Sequence, residues 1–150
     1  MKIITINSKE YTLEYTMEAS LYKQCVEKTT GYMMRTSNVS SLEEIVNSIS
    51  DLPQTALTMF YAGLMEYHSD DVKSEKEAKA LLKEYFAENK DGETGNFYGL
   101  MMFMLDCMKD DGFFKQIGLE QMMEIPEEVQ TEKVKKIPQD HKKPTKAGAK

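Results

Sequence analysis

The feature that most constrains the fold is a change in hydrophobic period close to residue 16. Residues 2–16 alternate between apolar and polar side chains on both sides of a break at residues 7–10, a pattern typical of a β-hairpin. The apolar positions of this segment are Ile3, Ile4, Ile6, Tyr11, Leu13 and Tyr15. From Met17 onward the apolar residues recur every three to four positions, which indicates α-helix. Because an isolated hairpin is only marginally stable in water, we expect this one to pack on helices or to pair with another chain.

The part of the sequence after the hairpin divides into about five helices. Capping boxes at Ser41 and Ser74, each with a glutamate three residues later, mark two helix starts. Pro53 is expected to begin a further helix, since its missing N–H costs nothing at the first helical position. The predicted helices run from Met17 to about Gly31, from Ser41, from Pro53, from Ser74 and from Phe97, with a short helical piece after Gly112 that ends near Glu124. The apolar face after the first capping box consists of Leu42, Ile45, Val46 and Ile49.

These patterns predict an α+β protein that is mainly α. A chain of 150 residues is the size of one domain. We expect a single globular domain over residues 1–125, with the hairpin in residues 1–16 and the helices in residues 17–125. From Pro126 onward the periodicity is lost and Lys and Pro are frequent, so residues 126–150 are predicted to form a flexible, disordered basic tail.

The charges of the sequence exclude some classes of partner. Residues 1–125 carry 12 Lys and Arg against 21 Asp and Glu, a net charge of −9, while residues 126–150 carry 7 Lys against 4 acidic residues, a net charge of +3. An acidic body argues against nucleic acid as a partner, because phosphate backbones are bound by clustered Lys and Arg. No apolar run approaches the ~20 residues that span a bilayer, so we expect no membrane partner and a cytoplasmic location.

The sequence contains no grouping of residues typical of an active site. The cysteines, Cys25 and Cys107, are far apart and are predicted to be free, buried thiols. His68 has no further ligand at metal-binding spacing and is interpreted as a histidine at a helix end. We therefore expect no enzymatic activity, no cofactor and no metal.

The segment from Phe97 to Asp110 is apolar around most of its circumference. At 100° per residue, its apolar side chains cover an arc of about 260°, wider than a surface helix needs. One interpretation is a central helix buried on nearly all sides. In the other, one flank is buried and either Met102 or Phe103 contacts another chain, a use that suits adaptable methionine side chains. The residues predicted to bind a partner are Met101, Met102, Phe103, Cys107, Phe113 and Phe114.

The order of these segments resembles that of tail assembly chaperones from long-tailed bacteriophages and prophages of Gram-positive bacteria. The segments that carry the resemblance are KIITINSKEYTLEYTMEASLYK, LPQTALTMFYAGLMEYHSD, EAKALLKEYFAEN and FYGLMMFMLDCMKDDGFFK. They lie within residues 1–118. The similarity is in segment order and apolar pattern, without a reactive motif.

The resemblance implies a non-catalytic protein of the host cytoplasm that is absent from the mature virion. Such proteins bind the tape measure protein, keep it soluble and help to recruit subunits of the tail tube protein. A homo-oligomer is also expected, since the edge of the hairpin formed by Ile3, Ile4, Ile6, Tyr11, Leu13 and Tyr15 offers a place for another copy to pair. The alternatives are a small structural or adaptor protein that is retained in a viral or cellular complex, and a small regulatory or enzymatic domain.

Overall fold

The computed structural model describes residues 1–123, in which an N-terminal hairpin precedes seven helices. The elements are β1 (Lys2–Ile6), β2 (Lys9–Leu13), α1 (Met17–Leu21), α2 (Lys23–Ser37), α3 (Leu42–His68), α4 (Glu75–Glu88), α5 (Phe97–Asp111), α6 (Phe113–Gln116) and α7 (Leu119–Met123). This confirms the α+β, mainly α prediction. Residues 1–117 form one compact unit, and α7 belongs to a second unit that starts at Gly118. The predicted tail and the predicted domain boundary at residue 125 lie outside the described residues.

Two predicted helix boundaries are wrong. Pro53 does not begin a helix, because α3 is one continuous helix of 27 residues with Pro53 inside it. The capping box at Ser41 is present and starts α3 well before the proline. The first predicted helix is instead broken at Tyr22, whose backbone is extended (φ −81°, ψ 96°), and α2 continues past Gly31 to Ser37. The break at Tyr22 accompanies contacts of its side chain, which packs edge-on against Tyr61 with ring centroids 5.6 Å apart.

The hairpin has a two-residue turn that the sequence signals only weakly. Asn7 and Ser8 both have positive φ values, 51° and 64°. The two-residue turn whose twist matches that of the strands requires positive φ at both of its residues. Asn tolerates this left-handed conformation better than most residues. The turn sets a register in which Ile6 faces Lys9. It is held to α4 by the Asn7 N–H, which donates to Glu88 Oε1 at 2.9 Å.

The core lies between the inner face of the hairpin and the helices α3, α4 and α5. Alternate side chains of the hairpin are buried there, as the period of two requires. These are Ile4, Ile6, Tyr11, Leu13 and Tyr15. Helix α3 is the central element, since it packs against α1, α2, α4, α5 and β2. Its largest buried side chains are Met59, Phe60 and Leu64.

The chain leaving β2 approaches α3 very closely at Gly63. The Glu14 N–H donates to the Gly63 carbonyl at 3.0 Å, and the Tyr15 hydroxyl donates to the Met59 carbonyl at 2.9 Å. A Cβ on Gly63 would lie only 2.7 Å from the Tyr15 hydroxyl oxygen. A glycine is therefore needed here so that the buried tyrosine can reach the helix backbone.

We predict that Gly63→Ala destabilises the protein despite the better helix propensity of alanine. The added methyl must displace the buried Tyr15, which should lower the free energy of unfolding by about 1–3 kcal/mol in urea denaturation. Gly31→Ala is the matched control, because a Cβ there meets only the end of the Arg35 side chain at 3.1 Å. The control should be neutral or stabilising by up to about 1 kcal/mol. Equal effects of the two changes would contradict the proposed close approach.

Candidate functional site

Helix α5 combines the two interpretations of the methionine-rich segment. Most of its apolar circumference is completely buried, at Leu100, Met101, Met104, Cys107 and Met108. On one flank Tyr98 is 60% exposed and Met102 is 46% exposed. On the other flank Phe103 is half-buried, with Lys2 Nζ 4.8 Å from the centroid of its ring. The flank that remains open is therefore that of Met102.

The structure brings only some of the predicted partner-binding residues to the surface. Met101, Cys107 and Phe113 are completely buried, so the prediction that a partner contacts them is corrected: they are core residues. The reason is their orientation, since Cys107 Sγ donates to the Leu13 carbonyl at 3.5 Å and Phe113 lies against the Tyr15 ring. For the exposed Met102 and for Phe103 and Phe114, which are half-buried, partner binding stays a prediction.

Truncation of two adjacent methionines to alanine should distinguish a residue on the buried face of α5, whose loss lowers stability, from a residue on its open flank. Met101→Ala removes a fully buried side chain and is expected to cost about 2–5 kcal/mol of unfolding free energy. Met102→Ala, on the half-exposed flank, should change it by no more than about 1 kcal/mol. Urea denaturation of both variants measures the difference. Similar losses would show that Met102 is also a core residue.

The side chains predicted to mediate self-association lie mainly inside the protein. Ile4, Ile6, Tyr11, Leu13 and Tyr15 are buried in the core of their own chain, so their side chains are not available to a second copy, and this part of the prediction is corrected. They are buried because they form the inner face of the hairpin. Ile3 is on the outer face and is 58% exposed.

The outer edge of β2 is also used within the chain. The Thr12 N–H donates to His68 Nε2 at 2.8 Å, and the next outward N–H, that of Glu14, donates to the Gly63 carbonyl at 3.0 Å. Strand pairing with another copy is therefore left to β1, where it stays a prediction.

His68 is the last residue of α3, as the sequence indicated, and it has a structural contact with the hairpin. A backbone N–H can only donate, so Nε2 must be unprotonated to accept from Thr12. The ring also lies 5.1 Å from the ring of Tyr11. Burial lowers the pKa of His68 below its ordinary value of 6.5; the Asp71 carboxylate opposes this shift and the Lys9 ammonium adds to it.

We predict that the neutral His68 contributes a pH-dependent stability. Well above pH 6.5 both the folded and the unfolded histidine are neutral. As the pH falls below 6.5 the unfolded chain takes up the proton first, so the free energy of unfolding decreases until the folded-state pKa is passed. Denaturation of the wild type and His68→Gln between pH 8 and about pH 5 should show a steeper decline for the wild type. Parallel curves would contradict this role of His68.

An exposed apolar surface of the described residues lies at the start of α3. In the first ten residues of this helix only Ser48 is buried. Four aliphatic side chains share one face there and are exposed, namely Leu42 (77%), Ile45 (44%), Val46 (53%) and Ile49 (62%). We call these four residues the apolar tip. Arg35 on α2 pairs with Asp51 at 3.2 Å and holds α2 beside this part of the helix.

The apolar tip is exposed because α3 is longer than the core that covers it. A helix of 27 residues is about 40 Å long. The face that carries the tip continues through Ala56, Phe60 and Leu64, which are completely buried. Sequence analysis recognised the face but not its exposure, because a period of three to four residues is the same for a core contact and for an interface.

An apolar groove lies directly beyond the tip on the same side of α3. It has a volume of about 390 Å³ and is formed between α3, α4 and α5. Its lining residues are Pro53, Gln54, Leu57, Lys79, Leu82, Lys83, Phe86 and Phe97. Lys79 and Lys83 are exposed at its rim, and neither forms an ion pair with any described residue. We call this the lysine-rimmed groove. Together with the tip it is the candidate functional site.

Neither a metal-binding cluster nor a membrane-spanning helix is found in residues 1–123. In this range no group of three or more His, Cys, Asp or Glu side chains is arranged to hold a metal ion. Over the same residues, no helix combines the length and the apolar character needed to cross a membrane.

Comparison of the chain with protein-family models, with curated proteins and with solved structures found no match.

Proposed function

We propose that this protein is a tail assembly chaperone of a long-tailed bacteriophage or prophage, which binds the tape measure protein and keeps it soluble. The observation that carries the proposal is the apolar tip, four large aliphatic side chains exposed on one helix face. The resemblance of the segments within residues 1–118 to this class of chaperone supplies the identity of the client.

The geometry of the apolar tip suits a helical client. Its residues have the i, i+3, i+4, i+7 spacing with which one helix presents apolar side chains to another. Exposed apolar patches of this kind are typical of protein interaction sites. A long helical tape measure protein exposes similar stripes until the tail tube surrounds it, and would otherwise aggregate through them.

The surroundings of the tip explain how the chaperone can expose apolar residues and remain soluble. The first turn of α3 carries Glu43 and Glu44, and residues 1–125 have a net charge of −9 (12 basic, 21 acidic). The backbone N–H and the hydroxyl of Ser40 and the backbone N–H of Ser41 donate to the Glu44 carboxylate and lower its pKa, so this carboxylate stays charged. Net charge of one sign keeps a protein with an apolar patch from associating with itself without limit.

The open flank of α5 provides a second surface, to which the chaperone can recruit subunits of the tail tube protein. Tyr98 and Met102 lie one turn apart on this flank and are exposed. Neither belongs to the apolar tip or to the lysine-rimmed groove. We assign the tip to the tape measure protein and this flank to the subunit of the tail tube protein, so that both are held by one chaperone.

The proposal is tested by co-expression with the tape measure protein of a long-tailed bacteriophage or prophage. We expect that protein to be soluble with the wild-type chaperone and insoluble with Ile45→Glu/Ile49→Glu, because charges on the tip would have to be buried without partners. The matched control is Asn47→Glu/Ser50→Glu, which adds the same charge at exposed positions of the same helix outside the tip. Circular dichroism checks that both variants fold.

Two results would overturn the proposal. One is a client that remains insoluble with the wild-type protein. The other is this protein as a stoichiometric component of purified virions, which would favour a structural or adaptor protein instead.

A further inference from the structure

We propose that in the free protein a second copy covers the apolar tip. The two copies pack α3 against α3 in antiparallel orientation, so that the Leu42 end of each tip lies over the lysine-rimmed groove of the other. The dimer itself is inferred from the surface of this chain. Only its consequence, that a client must displace the second copy, rests on the proposed function.

The tip and the groove match chemically. The tip is wholly aliphatic, and the groove floor is formed by apolar side chains of three helices, which are Leu57, Leu82, Phe86 and Phe97. A groove of about 390 Å³ has room for a few such side chains. Helix faces with apolar residues at this spacing commonly bind in grooves of this kind.

The tip and the groove lie one after the other along the same helix. Ile49, Pro53 and Leu57 follow one another at intervals of four residues, so the groove continues the line of the tip. Leu42 lies seven residues before Ile49 and Leu57 lies eight residues after it. At 1.5 Å per residue both are about 11 Å from Ile49. Two antiparallel copies that cross near Ile49 would therefore place each Leu42 over the partner's groove, which closes the assembly at two copies.

Charges of opposite sign lie beside the tip and at the rim of the groove. Glu43 precedes Gln54 by 11 residues, close to three whole turns, so both lie on the same side of α3. That side faces α4, since Gln54 Nε2 donates to Glu75 at 3.2 Å. The two copies are related by a two-fold axis that is perpendicular to the helices and lies midway between them. Under this rotation the side of α3 that carries Glu43 and Gln54 points in the same direction in both copies. Glu43 of one copy then approaches Lys79 and Lys83 of the other, and none of the three forms an ion pair with a described residue of its own chain.

The dimer would regulate access to the client-binding surface. A closed two-fold contact covers both tips at once and leaves no apolar end for a third copy. A client helix must then compete with the second copy for the tip. Weak, unrelated apolar segments would be excluded by this competition, because only a helix that binds the tip more tightly than the partner does can open the dimer.

Sedimentation velocity over a concentration series tests the dimer with the full chain alone. We expect the wild type to change from monomer to dimer with no larger species. Lys79→Glu/Lys83→Glu should weaken dimerisation at least about tenfold, since it places like charges opposite Glu43. Adding Glu43→Lys to that variant should restore the dimer. The matched control is Lys90→Glu/Lys115→Glu, which makes the same change in net charge at exposed positions outside the groove and should dimerise like the wild type.

A wild type that stays monomeric, an open-ended series of oligomers, or a Lys79→Glu/Lys83→Glu variant that dimerises normally would each overturn the inference. Failure of the dimer and failure of the function are distinguishable. If the co-expressed client is soluble but no dimer forms, the inference alone is wrong. If the dimer forms but the client stays insoluble, the proposed function is wrong.

Discussion

The rest of the structure depends on one contact, the packing of the hairpin against the second half of α3 at Gly63. Tyr15 reaches the helix backbone there because no Cβ intervenes. The end of the hairpin is fixed from its other side by Asp111, which accepts the Tyr15 N–H at 2.9 Å and pairs with the amino group of Met1. This double attachment decides which half of α3 is covered by the hairpin and which half is not.

The exposed tip follows from that position. The hairpin, α4 and α5 cover α3 around Phe60, but the helix begins about 27 Å earlier along its axis, at 1.5 Å per residue. Among the described elements, α2 is linked to this first part by the Arg35–Asp51 ion pair. Ser48 and Leu52 are buried there, whereas the aliphatic face is exposed. The protein thus keeps a rigid core at one end of α3 and presents an apolar helix face at the other, a division suited to binding a partner without loss of the fold.

Sequence reasoning was most accurate where a local rule decides the structure. The capping box at Ser41, the hairpin and the limits of α5 depend on neighbouring residues and on hydrophobic period, and all were predicted closely. It was wrong at Pro53, because proline is common at the start of helices but also occurs inside them, and here it lies at an exposed position within α3. It was also wrong at Tyr22, where the chain leaves the helix and the tyrosine side chain packs on another helix.

The sequence by itself determined the fold class and the acidic charge of the body, because these follow from composition and period. Only the tertiary structure decided which faces are covered. Met101 and Ile45 are both apolar residues on helix faces, yet one is completely buried and the other is exposed. The difference arises from the close approach at Gly63, which places the hairpin over α5 and the end of α3 and leaves the start of α3 uncovered. Burial depends on what packs against a face, and the period of that face carries no information about its neighbour.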